Sequence, residues 1–183
     1  MSKKLIFPVS FIFMLSMVSP GMCDDDPSLM GWWTFDGHAL DTSGNERHGT
    51  INGNPGFGPG VFGQALELDG DDYVIIDGYK GTEDRSAFSI TAWVKTTNGD
   101  NRTIVCWGSS GGGNRSELRI LNDIIRWNTG NGNIEANTSP TDGEWHHIAV
   151  TLADNTAIAS DGIKIYVDGV DDTITSSDSS SWA

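Results

Sequence analysis

Ala-Phe-Ser-Ile-Thr-Ala-Trp-Val, at residues 87–94, is the stretch that decides the fold. Apolar side chains occupy every second position, which is typical of a β-strand with one buried face. The buried face is predicted to carry Phe88, Ile90, Ala92 and Val94. Trp93 falls on the opposite face, together with Ser89 and Thr91.

The same alternation recurs along the chain between clusters of Gly, Asn, Asp and Pro, and no apolar stripe with a helical period appears after residue 24. Further strands are predicted at 31–35, 48–51, 65–68, 73–77, 103–107, 117–121, 124–128, 145–152 and 163–167. Short strands at this spacing, with turn residues between them, favour a sandwich of two antiparallel sheets. Asp168-Gly169 is predicted to be a hairpin tip, and Cys106 a small core residue.

Charge excludes two classes of partner. The 183 residues include 11 Lys and Arg against 25 Asp and Glu, a formal net charge of −14. Sequence-independent binding of nucleic acid requires basic residues that neutralise phosphates, so no nucleic-acid partner is expected. An anionic membrane surface is disfavoured for the same reason. The length suits one domain.

Residues 1–23 are predicted to be a signal peptide. A basic Lys3-Lys4 pair precedes the apolar stretch 5–18, and small residues follow it. The apolar stretch is shorter than the roughly 20 residues of a membrane-spanning helix, so no span is expected after cleavage. Cleavage after Gly21 and after Cys23 both fit, and residues 24–29 then form an acidic tail. The protein is expected to be secreted or on the cell surface, either extracellular or periplasmic.

Several motifs, in this order, carry a resemblance to a known family. They are Gly31-Trp32-Trp33-Thr34-Phe35-Asp36, Asp41-Thr42-Ser43-Gly44-Asn45, Gly63-Gln64-Ala65-Leu66, Leu68-Asp69-Gly70, Phe88 to Val94, Gly143 to Thr151 and Ile165-Tyr166-Val167-Asp168-Gly169. Together they resemble the laminin G-like jelly-roll domains of the concanavalin A-like lectin/glucanase superfamily. The resemblance implies an all-β, two-sheet antiparallel jelly-roll β-sandwich over residues 30–175. Domains of this kind are accessory modules that bind glycans or protein partners.

The family pattern continues past the last hairpin with a closing strand that this sequence lacks. Residues 176–183 are instead rich in serine. The domain is therefore expected to be incomplete at its C-terminus. Residues 176–183 are either a linker or the truncated continuation of a longer protein.

A structural calcium is one hypothesis for the loop at residues 41–45, because Ca²⁺ binds carboxylate and carbonyl oxygens on a loop that can wrap around it. The resemblance points to Asp41 and Asn45 as its ligands. The alternative is an Asx turn, in which Asp41 and Asn45 bond only to nearby backbone groups.

Catalysis is not expected. Glycoside hydrolases of the superfamily carry two or three acids at alternate positions of one strand, where a pair of carboxylates can flank a glycosidic bond. In this chain Glu67 and Asp69 are followed by Gly70 and Asp71, and a turn glycine would take the third acid out of register.

The residues proposed to contact a ligand are Trp107, Trp127 and Arg115. They flank the Gly-rich stretch 109–114, and an aromatic face can stack on a sugar ring while Arg contacts an acidic group. The alternative for both tryptophans is core packing. Arg115 is grouped with Arg102, Arg119 and Arg126, and these four could contact an acidic glycan through paired hydrogen bonds. The alternative for the arginines is that they are solvated strand edges that resist aggregation. The predicted function is a secreted, non-catalytic module that binds carbohydrate or an extracellular protein. The alternatives are an adhesion module without a small-molecule site and a relative of the glycoside hydrolases.

Overall fold

The computed structural model describes residues 26–81, 86–108, 115–128, 132–153 and 162–174. Within these ranges the chain forms 13 β-strands and no helix. The strands are β1 (Thr50–Asn52), β2 (Gly56–Pro59), β3 (Gln64–Glu67), β4 (Tyr73–Ile75), β5 (Phe88–Lys95), β6 (Arg102–Gly108), β7 (Arg115–Leu121), β8 (Ile124–Asn128), β9 (Asn133–Ala136), β10 (Trp145–Leu152), β11 (Ile163–Val167), β12 (Val170–Asp171) and β13 (Thr173–Ile174).

Two antiparallel sheets form the body of the domain. The four-stranded sheet has the order β12-β11-β10-β5, and the five-stranded sheet has the order β13-β9-β8-β7-β6. β5 and β10 pair along their whole length, from Phe88 opposite Leu152 to Lys95 opposite Trp145. Two small ribbons, β1-β4 and β2-β3, come from the N-terminal part of the chain. The predicted all-β antiparallel sandwich is confirmed.

The core lies between the two sheets and is built from alternate residues of their strands. The five-stranded sheet contributes Leu118, Ile120, Ile125, Trp127, Ile134 and Ala136, and the four-stranded sheet contributes Ile148, Val150, Ile163, Ile165 and Val167. Phe88 of β5 bridges the sheets, since its ring centroid lies 5.4 Å from that of Trp127. Burying one large apolar side chain stabilises the folded state by roughly 1.5–3 kcal/mol, so this layer of side chains holds the two sheets together.

Two hairpins turn on consecutive residues with positive φ. Asp168 and Gly169 have φ values of 51° and 81° between β11 and β12, as the Asp-Gly pair predicts. Asn122 and Asp123 have values of 52° and 64° between β7 and β8. A turn with two left-handed residues matches the twist of the flanking strands and fixes their register.

A bulge in β6 turns Cys106 outward. The pairing of β6 with β7 shifts register between Thr103 and Val105, after which Cys106 lies opposite Glu117. An extra residue in one strand reverses the side-chain alternation beyond it. Cys106 is therefore exposed, and the expectation that it is a core residue is wrong.

In the second half of the chain β8, β10 and β11 have the predicted bounds, whereas β9 was not predicted. The predicted strand at 31–35 is wrong. Only an isolated bridge between Trp33 and Asp41 forms there, and Phe35 leaves the extended conformation with a φ of 58°. β2 was missed because its Gly-Phe-Gly-Pro sequence has the composition of a turn.

The predicted signal peptide at 1–23 and the Ser-rich residues 176–183 lie outside the described residues. No helix in the described part of the chain is long and apolar enough to cross a membrane.

Candidate binding face

The outer face of the five-stranded sheet carries a row of charged side chains, which we call the charged face. Its members are Arg115, Glu117 and Arg119 of β7, Arg126 of β8 and Glu135 of β9. They point away from the core because they alternate with its residues, such as Leu118 and Trp127.

Glu117 is the most buried member of the charged face. Its side chain is only 1% exposed, although the core lies on the other side of the sheet. Oε1 lies 2.6 Å from Nη2 of Arg115 and accepts a hydrogen bond of 2.8 Å from the Thr103 hydroxyl. Oε2 lies 3.4 Å from Nη1 of Arg119. A carboxylate held by two guanidinium groups and a hydroxyl has little rotational freedom.

The row continues across the neighbouring strands. Arg119 lies directly opposite Arg126 in the register of β7 and β8, and Arg126 lies opposite Glu135 in that of β8 and β9. Arg126 forms an ion pair with Glu135. The side chains of Arg119 and Arg126 are 16% and 20% exposed, so a part of each remains open to solvent.

The structure separates the three predicted ligand-binding residues. Arg115 belongs to the charged face. Trp127 is 1% exposed, so the expectation that it contacts a ligand is wrong: it alternates with Ile125 on the inner face of β8. Trp107 is partly buried and packs edge-on against Trp127, with 5.5 Å between the two ring centroids. A Cβ placed on Gly81 would come within 2.5 Å of the Trp107 ring, which shows that the backbone at Gly81 covers this ring.

Four aromatic side chains, one exposed and three partly buried, lie on the outer face of the four-stranded sheet, which sequence reasoning did not propose as a site. Trp93 is 45% exposed, and its ring lies 5.2 Å from that of His147. Trp145 and Tyr166 alternate with buried residues and share this face. We call these four residues the aromatic face. The signal was present in the sequence, since Trp93 alternates with the buried positions of β5.

Backbone amides surround the carboxylate of Asp41. Trp32 and Ser43 donate to Oδ1 at 2.9 Å each, and Arg47 donates to Oδ2 at 3.0 Å. Burial alone would raise the pKa of Asp41, but these hydrogen bonds favour the charged form and lower the pKa to about 2. The carboxylate therefore serves to bind the backbone of its own loop.

The second predicted calcium ligand bonds to the backbone of the segment before the loop. The Nδ2 atom of Asn45 donates to the carbonyl of Leu29 at 2.8 Å, and the Arg47 guanidinium donates to the carbonyl of Met30. Ca²⁺ needs about six to eight oxygen ligands, whereas here N–H groups and a positive charge occupy the oxygens. The Ser43 amide at Asp41 forms the Asx turn of the alternative, but Asp41 and Asn45 also bind the more distant residues Trp32 and Leu29. Calcium at this loop stays a hypothesis.

The acids considered for catalysis do not share a strand face. β3 ends at Glu67, and Asp69 lies in the turn that follows, where its carboxylate groups with those of Asp71 and Asp72. Asp72 accepts hydrogen bonds from the amides of Asn54 and Asp69, so it closes this turn. A glycosidase of this superfamily carries its acids at alternate positions of one strand, whereas here the strand ends at Glu67, before Asp69 and Asp71.

His146 links two loops at one end of the four-stranded sheet. Its Nδ1 lies 2.8 Å from Oδ2 of Asp168, and its Nε2 lies 3.1 Å from Oδ1 of Asp142. The hydrogen bond to Asp168 raises the pKa of His146, burial opposes this, and Asp142 adds to the increase. The adjacent His147 faces Trp93 on the other side of the sheet, so the two histidines do not share a site.

A family model described as the concanavalin A-like lectin/glucanases superfamily, of the laminin G type, matches residues 68–183. The chain belongs to this superfamily. The match covers well over half of the chain and includes both large sheets, so the laminin G-like resemblance is confirmed.

One solved structure agrees with the fold of this laminin G-like domain. The chain is similar to domain 4 of AbnA, a GH43 extracellular arabinanase from Geobacillus stearothermophilus, in complex with arabinotriose. The TM-score is 0.61 at 21% identity, over 81% of this chain and 75% of that one. It is also similar to an S-layer domain-containing protein from Clostridium thermocellum, with a TM-score of 0.48 at 29% identity over 77% of this chain and 69% of that one. A comparison with curated protein sequences gave no match.

Proposed function

We propose that this laminin G-like domain is a non-catalytic carbohydrate-binding module of an extracellular protein. The observation that carries the proposal is Glu117, a nearly fully buried carboxylate held on the outer face of a sheet by Arg115, Arg119 and Thr103. Planar, charged side chains held rigidly in a row offer hydrogen bonds in fixed directions. Sugar hydroxyl groups are recognised by such preorganised groups, because little side-chain entropy is lost on binding.

The test is a binding panel with the purified protein. Oligosaccharides of arabinan, β-glucan, xylan, galactan and galacturonan are titrated while the midpoint of thermal unfolding is followed, because a ligand that binds only the folded state raises the midpoint. Arabinan is included because the structural relative is described with arabinotriose bound. At least one saccharide is expected to raise the midpoint, and the increase should be reduced in Arg115→Gln.

Lys95→Gln is the matched control, because it removes one exposed positive charge from the other sheet. Reducing ends are measured in the same samples, and no increase is expected. A panel in which no saccharide shifts the midpoint would contradict the proposal. Release of reducing ends that is lost in Glu67→Gln would show that the module is an enzyme instead.

A second candidate function is adhesion through the aromatic face. Trp93 is 45% exposed, and apolar side chains grouped on an exposed face are typical of interaction sites. Under this proposal the partner is a protein surface, either a second copy or another extracellular protein. An inactive saccharide panel, together with self-association in sedimentation experiments that is lost in Trp93→Ser, would favour adhesion over carbohydrate binding.

A further inference from the structure

The two central arginines of the charged face form a like-charge pair. Arg119 and Arg126 are directly opposite each other on neighbouring strands. Like charges in this position destabilise a sheet. Both side chains are more than three-quarters buried, so water and salt screen the repulsion less than at an open surface.

The carboxylates of the charged face do not balance its positive charge. Glu117 is shared between Arg115 and Arg119, with the shorter contact to Arg115. Glu135 pairs with Arg126. Three guanidinium groups against two carboxylates leave one positive charge on the row, in a chain whose formal net charge is −14.

Polar atoms on the same row have no hydrogen-bond partner. The Nε atoms of Arg119 and Arg126 and Oε2 of Glu117 are buried, and none makes a hydrogen bond. A buried polar group without a hydrogen-bond partner destabilises the folded state. An ion-pair network selected for stability alone would not combine repulsion, excess charge and unsatisfied atoms, whereas binding sites often do.

We propose that the Arg119–Arg126 pair binds the carboxylate of an acidic saccharide, of the uronic acid class. This inference rests on the proposed carbohydrate-binding function and specifies its ligand. A carboxylate supplies the negative charge that the row lacks, and its two oxygens match the N–H pairs of a guanidinium group. A ligand charge between the two arginines reduces their repulsion, which compensates for the partial loss of hydration on binding.

The test compares trigalacturonate with its methyl ester, which has the same rings and hydroxyl groups but no charge. Binding to the purified protein is measured by titration calorimetry at about 0.15 M salt, where the overall negative charge is screened beyond about 8 Å. The acid is expected to bind at least tenfold more tightly than the ester. Its affinity should fall as the salt concentration rises, while that of neutral saccharides should not.

Two variants locate the site. Arg126→Gln and Arg119→Gln are each expected to weaken trigalacturonate binding tenfold or more, with little effect on neutral saccharides. Lys95→Gln, the control on the other sheet, should bind as the unchanged protein does. Near-ultraviolet circular dichroism confirms that each variant is folded, and if one is not, the other still locates the site.

The outcomes separate this inference from the proposed function. Equal affinity for the acid and the ester would overturn the inference but leave a carbohydrate-binding module. Acetate that binds as tightly as trigalacturonate would also overturn it, because the site would then recognise charge without a sugar. Binding of the acid that is unaffected in both arginine variants would place the ligand elsewhere. If no saccharide of any kind binds, the proposed function fails as well.

Discussion

Replacing Glu117 by Gln removes the central negative charge of the charged face and keeps the length of the side chain. The Gln carbonyl can still accept the hydrogen bond from Thr103 that now reaches Oε1 at 2.8 Å. The change therefore tests the ion pairs with Arg115 and Arg119 separately from packing. We expect it to destabilise the folded protein.

The magnitude follows from burial and geometry. Hydrogen bonds to charged groups contribute roughly 1.5–3 kcal/mol each. The contact with Arg115 is short at 2.6 Å, but that side chain is 36% exposed, and the contact with Arg119 is 3.4 Å long. Both contacts are therefore expected to contribute less than this range. In addition, a neutral Gln avoids part of the free energy that is needed to remove the charged carboxylate from water. The expected net loss is about 2 kcal/mol, or about 4–8 °C in Tm for a domain of this size.

The assay is equilibrium unfolding in urea. The unchanged protein and the variant are compared with the same dependence of the free energy of unfolding on urea concentration. Glu144→Gln is the control, because it makes the same chemical change at an exposed residue of a loop. The control should change the free energy of unfolding by less than about 0.5 kcal/mol. If Glu117→Gln changes the free energy of unfolding no more than the control does, water screens the ion pairs of Glu117 as it screens exposed pairs. The reasoning that these pairs stabilise the charged face is then refuted.

Further predictions concern other parts of the fold. The raised pKa of His146, due first to Asp168, implies stability that is present below about pH 6.5 and lost as the pH rises through the higher folded-state value. Urea midpoints should therefore fall from pH 6 to pH 9, and His146→Gln should flatten that profile; a flat profile in the unchanged protein would contradict the assignment. Asp41→Ala should cost about 2 kcal/mol by leaving backbone amides without an acceptor, and a chelator should not change the Tm; a drop in Tm on chelation would support the calcium hypothesis. Trp127→Ala should lower the free energy of unfolding by about 3–5 kcal/mol, because it truncates a core side chain. Trp93→Ala should lower it by less than about 1 kcal/mol. Similar losses in the two variants would show that the inner and outer faces of the strands are misassigned.

Local alternation predicted the parts of the fold that depend on neighbouring residues. The face of β5 that packs inward, the bounds of β10 and the hairpin at Asp168 all follow from spacing over a few positions. Alternation also placed Trp93 outside. It would have placed Trp127 inside if applied to β8, where Ile125 and Trp127 share the inner face.

The sequence grouped the arginines of the charged face, but it did not predict their contacts with Glu117 and Glu135, because those depend on pairing between strands. Arg119 and Arg126 are brought together by the turn at Asn122 and Asp123, which sets the register of β7 and β8. The burial of Glu117 arises from the side chains that surround it on neighbouring positions, because a Glu in mid-strand is ordinarily exposed. A sequence pattern states which face a residue is on, but not which residue lies across from it.

The bulge in β6 also determines where this protein can be labelled. Of the two cysteines in the chain, Cys23 lies in the predicted signal peptide, and Cys106 presents an exposed thiol directly across from Glu117. A thiol-reactive dye would therefore attach beside the charged face without an engineered residue. Changes in its emission would then report the arrival of a ligand at that face, so the proposed binding could be followed optically in the natural sequence.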